Sequence, residues 1–149
     1  MVMQHDCDAS AALLDHVKHA LDRSTPLRIQ GGNSKAFLGR NVEGEVLDTR
    51  AHRGIVSYDP TELVITARAG TPLAELDALL DAAGQMLTCE PALHGNAATL
   101  GGMLATGLSG PRRPWSGAVR DLVLGTRLIT GTGKHLRFGG EVMKNVAGY

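Results

Sequence analysis

The stretch Arg28-Ile29-Gln30-Gly31-Gly32-Asn33-Ser34-Lys35 sets the reading of this chain. Pro26 introduces a short strand, Leu27 to Gln30, which runs straight into two glycines, two small polar residues and a cation. Paired glycines allow backbone angles that turn successive N–H groups inward and make a nest for an anion. Asn33 and Ser34 can add side-chain donors, and Lys35 adds charge. Taken alone, the string fits an ordinary β-turn better than a nest.

A second segment shifts that balance. Ala98-Thr99-Leu100-Gly101-Gly102-Met103-Leu104-Ala105-Thr106-Gly107-Leu108-Ser109-Gly110 is built of residues small enough for backbone to press against a flat or charged ligand. A helical turn starting near Gly101 would point free amides at a phosphate. The pyrophosphate of a dinucleotide needs donors from more than one side, so two such segments favour a ligand over loops merely packed on a sheet.

A third segment, Arg112-Arg113-Pro114-Trp115-Ser116-Gly117-Ala118-Val119-Arg120-Asp121, is basic. Its arginines suit phosphate or carboxylate, and an exposed loop contacting another protein fits equally well. Asp121 beside Arg120 reads as a structural ion pair. No nucleophile–base arrangement or carboxylate pair is legible, so no catalytic residue is assigned.

Composition points the same way. The chain has 149 residues, the span of one domain, with 15 Lys+Arg balancing 15 Asp+Glu. Nineteen are Gly, about 13% where roughly 7% is usual. Seven of them fall in residues 1–93 and twelve in 94–149. Residues 1–93 hold 8 Lys+Arg and 13 Asp+Glu, net −5, against 7 and 2, net +5, in 94–149. The neutral total hides an acidic first part and a basic, glycine-rich second part, which suits an anionic ligand. The five aromatics are too few for a stacking surface, and with zero net charge they argue against nucleic acid as a partner.

Other signals are weak. Gly131-Thr132-Gly133-Lys134 fails as a dinucleotide fingerprint, which needs Gly where Leu136 stands. It fails as a phosphate loop too, since Leu128 and His135 replace the required Gly and Ser or Thr; a hairpin turn remains. Cys7 and Cys89 are far apart and read as free thiols. His16 and His19 lack a third ligand, so no metal site is assigned. Met1–Ser10 has no apolar core of a secretory signal, and Pro91–Pro111, though uncharged, is too polar to cross a bilayer. A cytoplasmic chain is expected.

The element pattern is mixed. A helix is expected from Ser10 to Arg23, its stripe being Leu13, Leu14, Val17, Ala20 and Leu21. Strands follow at 27–30, 46–49, 54–58 and 63–69, with Asp59-Pro60 as a turn. A second helix takes Thr71 as N-cap, Pro72 as first residue and Gly84 as stop. A strand at 85–89 comes next, then little regular structure until a hairpin of strands 122–130 and 135–138. Hairpins mixed with crossovers indicate an α+β fold.

Taken together, these segments resemble the FAD-binding domain of the vanillyl-alcohol-oxidase/PCMH flavoprotein superfamily. Arg28–Ser34 matches its first pyrophosphate loop and Ala98–Gly110 its second. Gly117–Gly125 resembles the lead into the next strand, and Lys144-Asn145-Val146-Ala147-Gly148-Tyr149 its KxxxGY stretch. The strings 110–117 and 139–144 are similar to the flavin-binding E-type subunits of bacterial glycolate oxidases (glycolate dehydrogenases), which work with a catalytic flavoprotein D-type subunit and an iron–sulfur F-type subunit.

The resemblance implies oxidation of glycolate to glyoxylate, with electrons leaving through flavin and iron–sulfur centres to a membrane acceptor. Any inner-membrane association would then run through the complex. It also implies that Gly31, Gly32, Asn33 and Ser34 hold the FAD pyrophosphate, while Thr99, Gly101, Gly102, Thr106 and Gly110 approach the diphosphate and the isoalloxazine ring. Gly117 joins them as a cofactor-side residue. Some relatives place a covalently flavinylated His just after the paired glycines; Asn33 stands there, so FAD is expected to be non-covalent. The family continues past its KxxxGY stretch into a further cofactor-binding strand and a substrate or cap domain. Residues 1–149 therefore read as the N-terminal portion of one FAD-binding domain, incomplete at the C-terminus, inactive alone and weak in binding FAD. A stand-alone FAD-dependent 2-hydroxy-acid or sugar-acid dehydrogenase, or a non-catalytic electron-relay or assembly subunit, are the competing expectations.

Overall fold

The computed structural model describes residues 6–140. Helix α1 (Ser10–Asp22) leads into β1 (Leu27–Gln30), which pairs in parallel with β2 (Glu45–Asp48), Ile29 opposite Leu47. A parallel pair needs a crossover, here the loop 31–44 that begins with the paired glycines. The α1 stripe is seated through Val17 and Ala20, both buried, with Leu13 and Leu14 half-buried and Leu21 exposed.

Strands β3 (Ile55–Asp59) and β4 (Val64–Ala67) form an antiparallel pair, with a register shift between Ile55 and Ser57. Asp59 makes the expected turn: its Oδ1 accepts the amides of Thr61 at 2.9 Å and Glu62 at 3.1 Å. Helix α2 (Leu73–Asp81) follows. Its buried Leu73 and Leu76 centre the core with Cys89, Ala98, Met103 and Val119.

Five sequence expectations need correction. Thr71 is not the side-chain cap of α2; it is buried, and its Oγ1 takes the Gly54 amide at 2.9 Å and donates to the Gly54 carbonyl at 3.2 Å. The helix starts at Leu73 after Pro72. No strand forms at 85–89. Instead Gly84 turns the chain at φ +68, and Gln85 is held by the β3–β4 turn, accepting from the Tyr58 hydroxyl at 2.9 Å and donating to the Pro60 carbonyl at 2.8 Å. The backbone groups of this stretch go to local turns and not to a ladder: Gln85 N–H donates to the Leu80 carbonyl at 2.9 Å and Glu90 N–H to the Leu87 carbonyl at 3.2 Å.

Residues 91–122 hold more regular structure than the sequence pattern suggests. Helix α3 (Leu100–Thr106), helix α4 (Arg113–Ser116) and a 3₁₀ turn (Val119–Leu122) all form there. Each is too short to display helical periodicity. The last strand pair is β5 (Gly125–Ile129) with β6 (His135–Gly139), antiparallel through the expected turn at 131–134. Leu122 belongs to the 3₁₀ turn and not to the strand. The mixed helices, hairpins and parallel crossover make the fold α+β.

No described helix is long and apolar enough to cross a membrane. The KxxxGY stretch, 144–149, lies outside the described residues.

Candidate FAD-binding site

The two glycine-rich segments meet. A Cβ on Gly31 would stand 2.6 Å from Thr99 Oγ1, and a Cβ on Gly32 would fall on the Ala97 carbonyl. Gly32 therefore abuts main chain and demands glycine, whereas Gly31 abuts the Thr99 side chain. Asn33 follows at φ +56, a left-handed conformation that asparagine tolerates better than most residues.

This geometry leaves backbone donors unspent. Among the described residues, the N–H groups of 31–35 make no hydrogen bond; the first amide beyond them, Ala36, reaches the Asn33 carbonyl at 3.4 Å. The last bond of the β1–β2 pairing is from the Thr49 N–H to the Gln30 carbonyl, at 2.9 Å. Consecutive unpaired amides in a left-handed turn are the physical requirement for an anion nest. Lys35, half-buried, adds positive charge beside them.

The second segment does a different job from the one expected of it. At the start of α3, Leu100 donates to the Thr71 carbonyl at 2.9 Å and Gly101 to the Ala69 carbonyl at 2.7 Å. The Gly102 amide bonds Thr99 Oγ1 at 3.3 Å, and Met103 reaches the Thr99 carbonyl at 2.9 Å. The free amides expected near Gly101 are therefore all committed within the protein. Thr99, buried and extended, is the true cap of this helix. Thr106 turns its hydroxyl back on the Gly102 carbonyl at 2.9 Å. The α3 segment thus serves as a fixed wall against which the amide-bearing loop is pressed.

Gly110 and Gly117 lie further along. Gly110 packs on Glu90 and donates to the Cys89 carbonyl at 2.8 Å. Gly117 packs on Asp121, whose Oδ2 accepts the Ala118 amide at 2.7 Å. Asp121 also lies 3.7 Å from Arg120 Nε, a loose and exposed pairing. Its main role is to hold the 3₁₀ turn, in keeping with a structural residue. The basic loop is braced at its other end by Glu90, 3.1 Å from Arg112 Nε.

Sequence reasoning missed Ala97 and Thr49. Ala97 seats Gly32, and the Thr49 hydroxyl would be 3.7 Å from a Cβ on Gly31. Neither residue type signals such a role, since what matters is backbone position and size.

The remaining titratable groups do not build a reaction centre. Among the described residues no cluster of His, Cys, Asp or Glu could hold a metal ion; His16 is paired with Glu45 at 2.9 Å. Cys7 is exposed and Cys89 buried, both free, and burial pushes the Cys89 thiol above its usual range. His52 is held below its ordinary value by burial, and its Nδ1 lies 3.2 Å from the Ala9 amide.

A glycine pair clamped on a second backbone, with five unspent amides beside it, is an arrangement suited to an anion. The family model of the FAD binding domain matches residues 7–139, and the chain belongs to that family. FAD is accordingly its cofactor. The glycolate oxidase subunit GlcE of Escherichia coli (strain K12) is 70% identical over 147 residues, 99% of this chain and 42% of that protein. A D-lactate dehydrogenase of Archaeoglobus fulgidus is 32% identical over 136 residues, 89% of this chain and 30% of that protein. The crystal structure of aclacinomycin oxidoreductase superposes with a TM-score of 0.64 at 19% identity, covering 87% of this chain and 26% of its own. At that identity the likeness is one of fold. The chain spans less than half the length of these relatives.

Proposed function

We propose that this chain is the FAD-holding part of a glycolate oxidase subunit, within a complex that oxidises glycolate to glyoxylate. The 70% identity to a glycolate oxidase subunit over 99% of the chain carries the reading. The five unspent amides at 31–35 fit the diphosphate that FAD would bring. When bound, FAD supplies an acceptor for the two electrons that leave the substrate carbon.

This chain's own residues bind and orient. The amides of Gly31, Gly32, Asn33 and Ser34, with Lys35, hold negative charge. Thr99, Gly101 and Gly102 keep the opposing wall in place, and Thr106, Gly110 and Gly117 are assigned to the same cofactor side. No residue here is given a proton-transfer role. Asn33, which offers no nucleophilic imidazole, supports non-covalent FAD. Residues 1–149 are the N-terminal portion of one FAD-binding domain, inactive alone and weak in FAD binding. The partners are a D-type flavoprotein and an F-type iron–sulfur subunit, in the cytoplasm or at the inner membrane through the complex.

A second reading, a stand-alone 2-hydroxy-acid dehydrogenase, draws on the 32% identity to a D-lactate dehydrogenase. The test is affinity purification of the full-length protein from its own cells, with dye reduction assayed on glycolate and D-lactate. Discrete flavoprotein and iron–sulfur partners together with glycolate-dependent reduction are expected. A protein that arrives alone and turns over D-lactate overturns the complex in favour of the second reading.

A further inference from the structure

Two loops bound the amide nest, and neither is tied down by conventional means. Among the described residues, no hydrogen bond or ion pair joins residues 33–43 to another element, and residues 91–97 make no hydrogen bond at all. The second loop is anchored only at its ends. Glu90 accepts the Arg112 amide at 3.0 Å, and Ala98 accepts the Leu73 amide at 2.9 Å. Between those anchors His94 holds φ +44 and Gly95 φ +92, left-handed values at which histidine is found more often than most residues.

One ring reaches His94 from the other loop, Phe37. Its ring centroid lies 5.1 Å from that of His94 at an interplanar angle of 76°, an edge-to-face pair. Phe37 is otherwise in solvent, 66% exposed, and His94 is exposed as well. An exposed phenylalanine contributes little to a core. Here it bridges the loop carrying amides 31–35 to the loop carrying Ala97, the residue on which Gly32 is seated.

We propose that Phe37 and His94 form a latch that holds the two loops together around the nest and sets how long FAD stays bound. They are positioning residues, acting through the 31–35 backbone rather than on the flavin. The inference rests on the FAD reading above. Release of the diphosphate requires the 31–35 loop to swing off Ala97, and the ring pair is the tie that opposes this. Edge-to-face pairs are strong enough to change a dissociation rate by about 3- to 10-fold.

The experiment uses the full-length holoprotein. FAD release is followed by the rise in flavin fluorescence after dilution far below the dissociation constant. Phe37→Ala and His94→Ala should each speed release about 3- to 10-fold. The double variant should be no faster than the quicker single one, because either change opens the latch. His94→Phe restores slow release if the ring is what matters. The thermal midpoint of the FAD-free protein should stay put in Phe37→Ala, since that ring is in solvent. Unchanged release in both single variants, or singles whose effects multiply in the double, overturns the latch. A His94→Phe variant as fast as His94→Ala also overturns it, because an aromatic ring at position 94 would then not be what slows release. If the wild-type protein holds no FAD, the FAD reading itself fails, a result distinct from normal binding with indifferent variants.

Discussion

Gly32 and Ala97 are packed backbone to backbone: there is no room for a Cβ on Gly32 without displacing the Ala97 carbonyl. The obstacle is main chain, so the neighbour cannot give by rotating a side chain. Gly31 faces an obstacle of another kind, the Thr99 hydroxyl at 2.6 Å from a would-be Cβ.

From this asymmetry, Gly32→Ala should be the more damaging change. It pushes the nest off its wall, and FAD affinity in the full-length protein should fall by more than about tenfold, the factor that corresponds to 1.4 kcal/mol. Gly31→Ala should cost less. Titration of apoprotein with FAD, followed by fluorescence quenching, measures both. Equal losses would show that the Ala97 contact does not position the nest.

Thr99 tests the wall from the other side. Its Oγ1 caps α3 by accepting the Gly102 amide at 3.3 Å, and the residue is buried. Thr99→Ala should lower unfolding free energy by about 0.5–2 kcal/mol, the usual range for a lost cap. Thr99→Ser should recover most of it. Urea unfolding followed by circular dichroism provides the number, and a serine variant as unstable as the alanine one would deny the cap its role.

The sequence shows the site's location more readily than its division of labour. The strand-to-GGNS transition at 27–34 and the small-residue run at 98–110 mark both segments, because glycine and small polar residues in a row have few other uses. Which segment offers its amides is not written locally. Leu100 and Gly101 spend theirs on Thr71 and Ala69, residues about 30 positions earlier, and such pairing is settled only in the assembled fold. Thr71 illustrates the same limit. A Thr before Pro and an apolar stripe has every mark of an N-cap, yet tertiary contact with Gly54 claims its hydroxyl. Gln85–Cys89 alternates like a strand because Leu87 and Cys89 face the core, and burial alone does not make a ladder.

Thr71 yields a prediction of its own. Its hydroxyl both accepts from and donates to Gly54 in a fully buried position. Thr71→Val keeps the shape and leaves the Gly54 N–H unpaired, while the Gly54 carbonyl keeps the Arg68 amide at 3.0 Å, at a cost of about 1–3 kcal/mol. Denaturant unfolding of the variant would read this directly, and a neutral effect would show that Gly54 finds other partners.

Acid should destabilise the domain in two stages. His52 has its pKa lowered by burial, so the fold favours its neutral form. Stability from this group is complete above its ordinary value of 6.5 and is lost as pH falls below that, because the unfolded chain takes up the proton first. Asp8 is held down to about 2, from 3.8, chiefly by hydrogen bonds from Ser10. Its contribution persists to about pH 4 and disappears as pH falls toward 2. Stability measured against pH should therefore bend twice. His52→Gln should remove the upper bend and leave the lower, whereas Asp8→Asn should shrink the lower bend without abolishing it, because hydrogen bonds from Arg68 and Arg50 hold Asp6 and Asp48 low as well. A single bend near pH 4 in the wild type would remove His52 from the account.

Asn33 bears on how FAD is held. It occupies the first position after the glycine pair, in a left-handed conformation, with its backbone amide among the unspent donors. A carboxamide does not act as the nucleophile that a flavin linkage requires. The full-length holoprotein, precipitated with acid, should therefore release its yellow colour into the supernatant and leave a white pellet. Asn33→Asp should weaken binding without changing that outcome, because a carboxylate beside the nest repels the diphosphate. Residue 33 is exposed, so like charges brought this close are expected to reduce affinity by up to about tenfold, and less so at high salt. A yellow pellet would place a covalent link elsewhere in the chain, and an Asn33→Asp variant with unchanged affinity would move the diphosphate away from residues 31–35.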